Sequence, residues 1–235
     1  MSTSTPLVYK RANPRVRKPR LTRAERSELT RKALFNAAIS VVGEHGYANA
    51  MITDITARAH TAHGTFYNYF ETRQQLLDTL LPELGAEMLQ FIRDETRDSR
   101  TEIEREERAF RAFFTFLKTR PEFYRILYEA EVFAPEAYIR HTNTVASGYV
   151  RTLQRAVQNG RLAPREPQEL EAIAFMLMGA RHYLCMRFAR RGAETISLPE
   201  WVVKTYMELV TGSLFNSSEL DRIPASGHAR TSKST

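Results

Sequence analysis

Apolar positions along this chain recur at intervals of three and four, with no sustained alternation, so the pattern predicts helices and no strands. Between positions 22 and 46, Leu34, Ala37, Ala38, Val41 and Val42 form one stripe at helical spacing. Thr22 with Glu25 makes a capping box at its start, and Gly46 suits its C-terminal cap. The segment ITDITARAH predicts a short second helix with Ile52, Ile55 and Ala59 inward. A turn at positions 60–62 separates it from HGTFYNYF. Thr72 with Gln75 makes another capping box, opening RQQLLDTLLPELGAEMLQFIRDE. Pro82 is expected to kink or break that helix, because it removes a backbone donor and crowds the preceding turn.

Further along, TEIEREERAFRAFFTFLKTR is amphipathic, with Phe110, Phe113, Phe114 and Leu117 on its apolar side. Pro121 starts a helix over EFYRILYEAEVF, and a long one after it ends at Asn159 and Gly160. The segment IAFMLMGARHYLCMRF is apolar nearly all round, which predicts burial on two sides: a core on one and a subunit interface on the other. Gly179 and Ala180 would let a partner helix come close. The pattern gives an all-α chain of about nine helices. Residues 1–21 form a basic disordered arm, 22–80 a three-helix domain, 81–216 a larger helical bundle and 217–235 a flexible tail.

Charge sharpens this division. Residues 1–33 hold ten Lys/Arg against Glu25 and Glu28, a net +8, whereas the 235-residue chain is +7, so the remainder sums to −1. The arm, with Arg15, Arg17, Lys18 and Arg20, suits a polyanion, because each neutralised phosphate releases a counterion. Taken alone, it reads equally well as a solubilising tail. The start has no secretory apolar region, and no apolar run is long enough to span a bilayer, so a cytoplasmic location is expected. The single cysteine, Cys185, leaves no internal disulfide or multi-cysteine zinc site and reads as a buried thiol. His60 and His63 have no carboxylate or cysteine at ligand spacing, so neither a metal nor another cofactor is expected. The absence of a Ser-His-Asp set and of a phosphate loop argues against an enzyme.

Three N-terminal helices, the second and third joined by a tight turn, have the layout of a helix-turn-helix, whose recognition helix enters the DNA major groove. That explains four rings in five positions. Phe66 and Phe70, four apart, would pack inward, leaving Tyr67 and Tyr69 to point elsewhere with Asn68 between them. Tyrosine hydroxyls can donate to phosphate, Asn68 can reach a base edge, and Gly64 allows the backbone close to a phosphate.

Asp54-Ile55, the turn, the run Gly64-Thr65-Phe66-Tyr67-Asn68-Tyr69-Phe70 and Arg73 together resemble the tetracycline-repressor (TetR) family of bacterial regulators, over about residues 25 to 80. The chain departs from the family pattern at His60, where a turn glycine is usual, at Ala62, where a small hydroxyl residue caps the next helix, and at Met51, where Thr or Ser is common. Thr61 is a candidate for a shifted cap. The resemblance implies DNA contacts at Thr53, His63, Gly64, Thr65, Tyr67, Asn68, Tyr69 and Arg73. It also implies a homodimer through the last two long helices and a C-terminal domain that binds a small molecule. The expected function is that of a ligand-responsive repressor released from a palindromic operator by its effector. The alternatives are a non-sensing architectural DNA binder and an all-helical enzyme.

For the effector, the expected lining is Phe113, Tyr124, Tyr128, Tyr149, Met178 and Arg181. Arg181 and His182 point about 100° apart on a helix, so they serve different surfaces. His182 is expected on the dimer seam. Arg181 is expected to look toward Phe113, Tyr124 and Tyr128, as an anchor for an anionic aromatic or acyl compound. An ion pair of Arg181 with Glu129, Glu131 or Glu208 is the competing reading.

Overall fold

The computed structural model describes residues 21–191 and 194–215; the basic arm with Arg15, Arg17, Lys18 and Arg20, and the polar tail, lie outside the described residues. Among the described residues there are nine helices: α1 (Arg23–His45), α2 (Ile52–Arg58), α3 (His63–Phe66), α4 (Arg73–Thr96), α5 (Glu102–Thr119), α6 (Glu122–Phe133), α7 (Pro135–Gln158), α8 (Pro167–Phe188) and α9 (Glu200–Leu214). One correction is a short hairpin before α9. Strands β1 (Arg190–Arg191) and β2 (Glu194–Thr195) pair antiparallel, and two residues per strand are too few to show an alternating pattern.

The caps follow the sequence closely. Both halves of the Thr22–Glu25 box form, and Gly46, at φ 81°, ends α1 with its N–H on the Val42 carbonyl. At α4, Thr72 Oγ1 accepts the Gln75 N–H at 3.0 Å, but the Gln75 side chain takes the amide of Glu71 instead of Thr72. Pro82 does not break α4, which runs from Arg73 to Thr96. A proline there leaves the carbonyl four residues back without its helical donor. Arg140 of α7 reaches that carbonyl, on Asp78, at 3.5 Å.

Because α4 is continuous, it belongs to both the N-terminal unit and the bundle. One apolar core runs from Leu34, Ile39 and Val42 of α1, through Leu76, Leu80 and Leu84 of α4, to Phe110 of α5 and Phe123 of α6. The α1–α6 contact is close: a Cβ on Gly43 would stand 2.5 Å from Glu122 Cγ. No helix among the described residues is long and apolar enough to cross a membrane.

Candidate nucleic-acid interface and effector cavity

The α2–turn–α3 unit is held from beneath. Ile55 and Phe66 are fully buried and Phe70 nearly so, with the two phenylalanine rings 5.6 Å apart. Met51 and Ala62 occupy the N-cap positions of α2 and α3 and give no side-chain cap. Thr61 does not take over, since its hydroxyl donates back to the Thr56 carbonyl at 3.5 Å. His60 takes φ +52°, the left-handed conformation a turn glycine would adopt more easily. Its N–H still reaches the Ala57 carbonyl, and that of Thr61 the Thr56 carbonyl, so the turn closes through backbone bonds.

This frame leaves a polar face open. Thr53, His63, Gly64, Tyr67 and Asn68 are exposed, while Thr65 and Tyr69 are half-buried. Nothing lies within 4 Å of where a Cβ on Gly64 would stand. Tyr67 rests edge-on against Phe66 and His63, which fixes its ring while half of the residue faces out. Tyr69 packs partly against the core instead of standing free beside Tyr67.

Arg73, expected among the DNA contacts, is half-buried and turns its guanidinium toward the protein's own backbone. Its Nε donates to the Ala50 carbonyl at 2.5 Å, and its Nη2 to the carbonyls of Tyr47 and Ala48. It ties α4 to the loop between α1 and α2 and so holds the α2–turn–α3 unit from behind.

The bundle holds a partly open cavity of about 860 Å³, walled mainly by parts of α4, α5, α6, α7 and α8. Phe113, Tyr124, Tyr128, Tyr149, Met178 and Arg181 all line it. Its lining along α7 extends from Tyr138 to Ala156, roughly 27 Å at the helical rise, so the space is elongated. Near the α7 C-terminal end the wall includes Arg93, Arg151 and Arg155, all exposed. Burial pushes the His141 imidazole, also in the wall, down to about 4. Cys185 is a buried free thiol, raised by burial to about 11.

Two expectations about α8 are overturned, the carboxylate partner of Arg181 and the place of His182. The buried Arg181 pairs with Glu106 of α5 at 2.8 Å and donates to the Tyr206 hydroxyl at 2.9 Å and the Leu177 carbonyl at 3.2 Å. Glu129 binds Arg125 instead, and Glu208 lies 3.7 Å from Lys204. The guanidinium sits between 5.2 and 5.6 Å from the ring centroids of Phe110, Tyr149 and Tyr206, while its Nε has no partner. Burial alone would lower its pKa, but Tyr149, Glu106 and Tyr206 around it hold the charge above its ordinary value. The second correction is His182. It does not face outward to a seam but lies against Tyr124 and Tyr128 in the cavity wall. Sequence reasoning passed over Glu106, yet a signal was present: it stands four before Phe110 and seven before Phe113, a carboxylate on the apolar stripe of α5.

The outer faces of α8 and α9 carry exposed large apolar side chains at Met176, Met186, Trp201 and Leu209, with the exposed Phe175 and Tyr183 at the edge of the cavity. Phe188 and Trp201 join the two helices edge-on at 5.1 Å. Beside this apolar strip, Gly179 and Gly212 present open backbone. Among the described residues no group of three or more His, Cys, Asp or Glu is placed to hold a metal ion.

Residues 34–80 match the family model described as bacterial regulatory proteins, tetR family. A helix-turn-helix-type transcriptional regulator of Bacillus subtilis is 38% identical over 60 residues, covering 26% of this chain and 31% of the relative. The fatty acid metabolism regulator protein of the same organism is 26% identical over 72 residues, covering 31% and 37%. The chain thus spans about a third of the length of the curated relatives it matches. Solved structures agree with the fold over most of the chain. A TetR family transcription regulator from Marinobacter aquaeolei superposes with a TM-score of 0.62 at 19% identity, covering 82% of this chain and 99% of that one. The fatty acid degradation regulator from Bacillus halodurans gives 0.63 at 18% identity, covering 77% and 94%.

Proposed function

We propose that this chain, whose residues 34–80 match the tetR family of bacterial regulatory proteins, is a homodimeric repressor that binds a palindromic operator and is released by a small apolar effector. The observation that carries this reading is the sharing of helices. α4 and α6 line the cavity, and the same two helices hold the loop from which α2 and α3 hang, through Arg73, Arg125 and Glu129. A ligand that displaces either helix changes where α3 stands. The exposed Tyr67, Asn68, His63 and Gly64 supply groups suited to phosphate and base edges.

A relative named for fatty acid metabolism supports an apolar effector. An anionic group on that effector would be met by Arg93, Arg151 and Arg155 rather than by Arg181, which is already paired. The apolar strip on α8 and α9 supports the dimer: two copies packing it face to face would form a four-helix bundle and set two reading units on one duplex. Sedimentation tests this. Two protomers per operator duplex are expected. Met176→Glu with Leu209→Glu should give a folded monomer with at least tenfold weaker operator binding, and a monomer of unchanged affinity would rule the dimer out.

A further inference from the structure

Three rings in the cavity wall share one orientation. Tyr124 and Tyr128 of α6 lie 5.6 Å apart with planes 23° from parallel. His182 of α8 lies 5.1 Å from Tyr128 at 15° and 6.1 Å from Tyr124 at 8°. Three parallel rings at such mutual spacings cannot form a single pile, because the outer two would then be twice as far apart as each is from the middle one. They form a staggered platform. One ring is backed by a cation, with Arg190 Cζ 4.4 Å from the Tyr124 centroid. At the other edge Tyr183 stands nearly perpendicular to His182, 84° at 5.1 Å, as a side wall. Tyr124 is 6% exposed, but Tyr128 is 51% exposed although its ring lines the cavity.

We propose that this platform selects a planar aromatic ring in the effector, stacked on the free surface of Tyr128 and His182 with its edge toward Tyr183. The inference rests on the reading of the cavity as an effector site and adds the chemical class. The apolar stretch at Met88, Leu89, Ile92 and Phe113 would accept an alkyl chain as readily as a ring. At the platform the ring faces are parallel and their hydroxyl and imidazole edges polar. An aromatic ligand gains offset stacking there, about two- to tenfold in affinity per ring pair, which a saturated group of similar size does not. An organic cation is the weaker fit, because Arg190 already occupies one face of Tyr124 and like charges would sit on either side of one ring.

The test uses the full-length protein and two probes with the same fused ten-carbon skeleton and one hydroxyl: 2-naphthol and decahydro-2-naphthol. Calorimetric titration should show 2-naphthol binding at least fivefold more tightly, with its ring protons shifted upfield by the platform. Tyr128→Leu and His182→Leu should each erode that preference, and the double variant should abolish it while retaining affinity for the saturated probe. Equal or tighter binding of decahydro-2-naphthol to the unaltered protein would overturn the platform and leave the effector cavity standing. A preference that survives in the double variant would overturn it too. Failure of both probes to bind would remove the effector reading itself, and the platform with it.

Discussion

Glu129 of α6 accepts the backbone N–H of Tyr47 at 2.8 Å, although 82 positions separate the two residues. The other carboxylate oxygen takes Arg125 Nε at 2.8 Å, and Arg125 Nη1 caps the last carbonyls of α1, on Gly43 at 3.2 Å and Glu44 at 2.9 Å. The loop after α1 is thereby fixed to the bundle from one side by α6 and from the other by Arg73. Removing the acceptor strands a part-buried amide. Glu129→Ala should therefore lower stability by about 1–3 kcal/mol, and Glu129→Gln, which keeps an acceptor oxygen, by less. Hydrogen exchange at the Tyr47 amide should speed up in the alanine variant. Unchanged protection there would show that the clamp does not hold the loop.

The Glu106–Arg181 pair is desolvated on both sides, with side chains 14% and 6% exposed. Glu106→Ala leaves a buried guanidinium unpaired and should cost about 3–5 kcal/mol in urea unfolding. Replacing both at once, Glu106→Leu with Arg181→Met, should recover most of that loss. If the double variant is as unstable as the single one, the damage lies in packing against Phe110 and Tyr206 and not in the charge.

His141 gives a pH dependence of definite sign. Its folded value of about 4 lies below the ordinary 6.5, because burial disfavours the imidazolium. Between those values the unfolded chain binds more protons than the folded one. Stability must therefore fall as pH drops from about 6.5 toward 4, by up to about 3 kcal/mol, and this residue adds nothing further below that window. The ring lies where a Cβ on Gly85 of α4 would stand. Gly85→Ala should thus destabilise by about 1–3 kcal/mol through overpacking. Chemical unfolding at a series of pH values should show His141→Gln flattening the slope, and an identical slope would place the titration elsewhere.

The buried side of α3 and the exposed turn that follows it should separate stability from reading. Phe66 is fully buried, so Phe66→Ala should cost about 3–5 kcal/mol. Asn68 is exposed, and Asn68→Ala should leave the melting temperature unchanged but relax base preference at one position per half-site, at about 1–3 kcal/mol. An alanine variant with full selectivity would remove Asn68 from the reading face.

The helices, the caps at Thr22, Gly46 and Thr72, and the split of Phe66 and Phe70 from Tyr67 and Asn68 were legible because each depends on residues a turn or less apart. The cavity side chains were legible as aromatic and methionine positions on helical stripes. His182 was placed on the wrong surface because α8 is apolar nearly all round, and periodicity then leaves the helix's rotation about its axis undetermined; Arg181 does face inward, but its partner Glu106 stands on another helix. Arg73 and Glu129 bind backbone groups of a distant loop, and no side-chain pattern records that. Pro82 was over-read for a related reason, since the donor that serves its orphaned carbonyl comes from α7.

The most direct measurement of the central claim is selection of duplexes from a randomised pool by the full-length protein, followed by sequencing of what is retained. The account predicts a two-fold symmetric motif, with half-site centres one helical turn apart or a multiple of it, lost at one position per half-site in Asn68→Ala. Retention of DNA without any enriched sequence would contradict it and leave only charge-driven binding.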